Sequence, residues 1–97
     1  MAQTIVSVTI LAGHHKLFFE KPQVSIRTFF SIRALADDTK WAQSKISLGD
    51  RSFSSYYVID GPAKYFEARG EGIFQGDVWV WNASTINLLY VGTEILI

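Results

Sequence analysis

The chain has 97 residues, nine basic side chains against nine acidic ones, no cysteine, and 48% hydrophobic content of which the aromatics make up 14% of the chain. That length holds one domain with an apolar core of its own, residues 1–97, while the missing cysteines exclude disulfides, thiolate nucleophiles and thiolate metal sites. The even charge balance, with Lys16, Arg27, Arg33, Lys45 and Arg69 scattered among carboxylates, gives no basic stripe for nucleic acid or anionic lipid.

The opening MAQTIVSVTILAG has no basic n-region and alternates through Ser7 and Thr9. It reads as a first strand rather than a signal peptide, and it is too short to span a membrane, so a soluble protein is expected. Thr4 to Ala12 puts Val6, Val8 and Ile10 on one face, and Gly13-His14-His15-Lys16 breaks the run. Leu17 to Glu20 is then a short return strand closed by Lys21-Pro22, since proline cannot donate to a ladder.

Gln23 to Leu35 alternates most regularly. Val24, Ile26, Phe30, Ile32 and Ala34 point to the core, opposite Gln23, Ser25, Arg27, Ser31 and Arg33, and a bulge is expected near Thr28. Asp37-Asp38-Thr39 is the least strand-like stretch, and Asp38 is placed to cap one helical turn through Lys40 to Gln43. From Ser44 the pattern resumes, with Ile46 and Leu48 inward, until Gly49-Asp50-Arg51 turns the chain into Phe53 to Ile59.

Asp60-Gly61-Pro62 is the next turn, before a short strand at Lys64 to Ala68 and a glycine-rich passage from Gly70 to Asp77. The last two runs are Val78 to Ala83 and Ile86 to Ile97, with a bulge expected at Gly92. Val78 and Val80 share one face and Trp79 and Trp81 the other, so both faces of this strand need cover. About eight short strands with no crossover helix make an all-β, antiparallel two-sheet β-sandwich or jelly-roll-like domain, with a small closed β-barrel as the alternative.

The chemistry-bearing residues form no motif. His14-His15 point apart on extended chain, the aspartates sit in turns, no base stands beside a nucleophile, and Gly70-Glu71-Gly72 opens no helix as a phosphate loop must. No cofactor, metal or catalytic residue is assigned, and an enzyme is not expected. Arg27, Phe29 and Arg33 would share an outward face, as base-stacking strands do, but without a basic stripe they read as surface arginines. Asn82-Ala83-Ser84 matches a glycosylation acceptor by coincidence.

In size, turn density and apolar ends the chain is similar to small cysteine-free β-sandwich subunits of virus and phage particles, a likeness that transfers no residue role. The expected function is a non-enzymatic structural or assembly module forming a homo-oligomer or larger particle, with Trp79, Trp81, Tyr90, Ile95 and Ile97 at the contact. The alternative is a lectin-like carbohydrate-binding domain. It would stack sugars on Trp79 and Trp81, extended by Tyr56, Tyr57 or Tyr65, with Asp50, Asp60 or Asn82 holding hydroxyls.

Overall fold

The structure is a computed structural model that describes residues 2–35, 43–49, 53, 55–60, 65–70 and 72–97. Its eight strands are β1 (Ala2–Ile10), β2 (His15–Phe19), β3 (Arg27–Leu35), β4 (Gln43–Leu48), β5 (Tyr57–Asp60), β6 (Tyr65–Arg69), β7 (Val78–Asn82) and β8 (Leu88–Leu96). They pair outside-in along the chain: β1 with β8, β2 with β7, β3 with β6 and β4 with β5, all antiparallel. This long folded-back ribbon is then rolled, so that β8 also pairs β3 and β7 also pairs β4. Two four-stranded sheets result, in the orders β1-β8-β3-β6 and β2-β7-β4-β5, which is the jelly-roll arrangement. Both sheets keep free edges, so the closed-barrel alternative falls away.

The interior is built from the alternate residues that strand geometry turns inward. Ile10, Phe30, Ile32, Ile46, Val78, Val80, Leu88 and Tyr90 are almost wholly buried, with Val6, Val8 and Leu48 packed against them. A row of rings crosses this core, Phe18 to Phe19 to Phe30 to Phe66 to Tyr57, with successive centroids 5.2, 6.3, 5.7 and 5.4 Å apart. The Tyr90 hydroxyl of β8 meets Ser44 Oγ of β4 at 2.5 Å and so ties one sheet to the other. Burial pushes that phenol up to about 12.

Two irregularities redirect side chains. β3 shifts register between Arg27 and Phe29, the bulge expected near Thr28. Its consequence reverses the expected alternation: Arg27 turns into the interior and is fully buried, while Val24 and Ile26, expected in the core, are exposed. A second shift lies in β2 between Leu17 and Phe19, and it lets the consecutive Phe18 and Phe19 both pack inside.

Gly92 carries no bulge; it pairs in register with Val6 and with Ile32. Glycine is required there because an added Cβ would run into the Phe18 ring and come within 2.9 Å of Phe19 Cζ. The β4 to β5 connection is also longer than a tight hairpin, since Ile46 pairs with Tyr57 and Phe53 lies outside any strand. The helical turn expected at Lys40 to Gln43 lies outside the described residues up to residue 42, and Gln43 opens β4.

The chain's last strand is central. β8 sits between β1 and β3, and beyond it Ile97 exchanges both backbone hydrogen bonds with Ile26, at 2.9 and 3.0 Å. Pairing with a neighbouring molecule is therefore not what holds this tail. Inside the same end of the sandwich, Arg27 Nε donates to Glu94 Oε2 at 2.7 Å with both side chains nearly inaccessible. Replacing Glu94 with Ala leaves that guanidinium buried without its anion and is expected to cost roughly 3–5 kcal/mol, read as a lowered urea midpoint. An unchanged midpoint would contradict this placement of Arg27.

Candidate functional site

Two surfaces are candidates, the outer faces of the two sheets. On β2-β7-β4-β5, the register sets Trp81 between His15 and Lys45, and Trp79 between Leu17 and Ser47. Val78 and Val80 fill the core, so both tryptophans point outward, as strand alternation requires. They are nevertheless partly buried, Trp81 against Phe53 from the β4 to β5 connection and Trp79 against His15. The Phe53 ring meets Trp81 edge-on at 5.5 Å and His15 at 5.8 Å, and the residue adopts a φ of 56° to do so. A non-glycine residue in that region carries backbone strain of about 1 kcal/mol, offset here by ring burial.

Around this cluster Lys45 Nζ lies 4.4 Å from the Tyr56 ring centre and 4.6 Å from that of Trp81, a cation held between two π faces. Trp81 Nε1 donates to the Gly13 carbonyl at 3.1 Å, and His15 stacks obliquely on Trp79 at 5.8 Å. The indoles are thus already engaged by the domain's own groups. Neither Lys45 nor Phe53 was a site residue by sequence. Lys45 follows from strand register alone, whereas no local pattern brings Phe53 back over the sheet.

The five residues expected at one contact are dispersed. Trp79 and Trp81 lie on this outer face, Ile95 on the outer face of the other sheet, and Ile97 just beyond β8 at 64% exposed. Tyr90 is fully buried in the core, because it occupies an inward position of a central strand. No single flat contact unites them.

The carbohydrate set divides as well. Tyr56 joins the aromatic cluster, while Tyr57 belongs to the inner face, its ring 5.4 Å from that of Phe66. Tyr65 is on the other sheet, where its hydroxyl donates to Glu67 at 2.7 Å and holds that carboxyl below its usual value. Asn82 is fully buried, its Nδ2 donating at 2.8 Å to the carbonyls of Ile10 and Ile86. It can neither hold a sugar hydroxyl nor accept a glycan. Asp60 ends β5, but its side chain, like all of Asp50, lies outside the described residues.

The remaining candidates find structural roles. Asp77 accepts from the Lys21 amide at 2.7 Å, and His14 Nδ1 lies 3.1 Å from the Ala12 carbonyl. Among the described residues no three histidines or carboxylates gather as metal ligands. Arg27 is interior, which breaks up the surface trio with Phe29 and Arg33. A cleft of about 510 Å³ opens between Ile26, Thr28, Ile73, Gln75 and Ile97. Its Gln75 amide is committed to the Arg27 backbone, at 2.7 and 2.8 Å, so the cleft offers apolar wall rather than chemistry.

The outer face of β1-β8-β3-β6 is divided by charge. Arg33 on β3 and Glu67 and Arg69 on β6 occupy one half, the last two as an ion pair. The other half presents Gln3, Ile5, Ser7 and Thr9 of β1 and Leu89, Val91, Thr93 and Ile95 of β8, with no charge at all. Ile5 is 66% exposed there.

No protein-family model and no curated protein sequence matches this chain. Its own geometry therefore has to carry any functional reading. With Trp41 replaced by Phe so that only Trp79 and Trp81 report, Phe53→Ala should shift tryptophan emission to the red and lower stability by roughly 3 kcal/mol. Unchanged emission would mean that Phe53 does not shield the indoles.

Proposed function

We propose that this protein is a non-enzymatic structural module that assembles with copies of itself, into a homo-oligomer or a larger particle such as a virion. The observation that carries this reading is the edge strand β1, whose nine residues contain no charge and no proline and pair in unbroken register with β8. An edge strand exposes a row of backbone donors and acceptors, and proteins that must stay apart blunt such edges with charges, bulges or brevity.

The other three edges are blunted. β5 is four residues long; β2 has its bulge and Lys16, opposite the inward Val80; β6 carries Glu67 and Arg69. Only β1 lacks such a device among the described edges, and it borders the uncharged half of its sheet's outer face. Selection against association would not leave this edge bare beside Ile5, Leu89 and Ile95.

The jelly-roll order does not itself choose between assembly and sugar binding, because capsid and lectin domains both use it. The sites weigh differently: Trp81 is engaged by Phe53 and Lys45 and Trp79 by His15, and Asn82, the one polar group named for sugar whose side chain is described, is buried. Light scattering over a range of concentrations should give a mass that rises to a multiple of the chain mass. A strict monomer whose tryptophan emission responds to a panel of sugars would overturn the assembly reading.

A further inference from the structure

We infer that two copies join through β1, strand to strand and antiparallel about a two-fold axis, to make one continuous eight-stranded sheet; this rests on the assembly reading above. The direction of each β1 backbone group follows from hydrogen bonds elsewhere in the sheet. Ile97 and Ile26 exchange both of theirs, so Ile97 and the alternate residues Ile95, Thr93, Val91 and Leu89 face β3. The intervening residues of β8, Leu96, Glu94, Gly92, Tyr90 and Leu88, then face β1.

Their register partners in β1 are Ala2, Thr4, Val6, Val8 and Ile10, which are thereby satisfied. The Ala12 amide, in phase with them, likewise reaches back to Asn87 Oδ1 at 2.9 Å. Gln3, Ile5, Ser7 and Thr9 must therefore direct their N–H and C=O groups to the open side. The same four have exposed side chains on the outer face.

A second β1 laid antiparallel with Val6 on the axis satisfies all four. Gln3 comes opposite Thr9 of the second copy and Ile5 opposite its Ser7, in pairs of hydrogen-bonding geometry. Residues of like parity meet, so outer side chains stay outside and Val6 meets Val6 on the inner side. No charge opposes another, on β1 or on the adjoining outer residues of β8. A closed pair related by a two-fold buries the open edge in both copies at once, which head-to-tail contact cannot.

The cysteine-free chain makes the register testable by cross-linking. Facing residues at a non-hydrogen-bonded antiparallel position have Cα atoms about 4.5 Å apart, within disulfide reach. Val6→Cys should oxidise to a covalent dimer, while Gln3→Cys, displaced from its counterpart, should remain largely reduced. The double variant Ile5→Lys with Ser7→Lys sets lysine against lysine across the axis on side chains that are exposed in the single chain. It should raise the dimer dissociation constant at least tenfold with unchanged circular dichroism.

Ser7→Pro provides a second variant: it removes an amide directed at the open side, not one bonded to β8, and should dissociate the dimer likewise. A dimer that survives both changes, with no Val6→Cys cross-link, overturns the β1 pairing and leaves the assembly reading standing. A monomer at every concentration overturns both.

Discussion

The fold depends on where one buried cation sits. Arg27 donates from Nε to Glu94, from one terminal nitrogen to the carbonyls of Phe74 and Gly76, both at 2.8 Å, and from the other to the Glu20 carbonyl at 3.1 Å. Its own backbone is bracketed by the Gln75 side chain, which accepts from its amide and donates to its carbonyl. One side chain thus joins β3, β8, the end of β2 and the β6 to β7 connection. A buried ion pair adds little net stability over a well-packed apolar replacement, while the loss of one partner is costly. What the pair does is fix β8 against β3, because a slip of one residue would carry Glu94 to the outer face and Arg27 away from its carbonyls.

That placement of β8 governs the surface. With β8 held in the middle of its sheet, the apolar tail of the chain is accounted for internally, and the unprotected pairing capacity moves to β1. The nested order also sends Trp79 and Trp81 to the opposite side of the sandwich from Ile95. The aromatic face is closed by the domain's own Phe53, and the uncharged half-face beside β1 has no such cover among the described residues. The proposed association therefore uses a backbone edge rather than the tryptophans.

Much of this was legible in the sequence, and the failures have a common physical cause. The strands, their number, the two-sheet class and the Thr28 bulge follow from alternation and turn chemistry, which are local. Unbroken alternation puts Arg27 on the outer face, but the bulge reverses the faces on its N-terminal side, so Arg27 is interior and Val24 and Ile26 are outside. Gly92 announced an exception, but only the packed structure shows the exception to be two phenylalanine rings on the facing sheet. Tyr90 carries an interface-like side chain, but its phase in β8 puts it at an inward position, and phase decides. Asn82 and Phe53 act through contacts set by strand order, which the local pattern does not contain.

The central claim is that the Gln3, Ile5, Ser7 and Thr9 amides await a second strand while their neighbours are already paired. Residue-resolved amide hydrogen exchange across a concentration series tests it most directly. Thr4, Val6, Val8 and Ile10 should be protected at every concentration, and Gln3, Ile5, Ser7 and Thr9 should gain protection only as concentration rises. Equally fast exchange of those four amides at all concentrations would contradict the account.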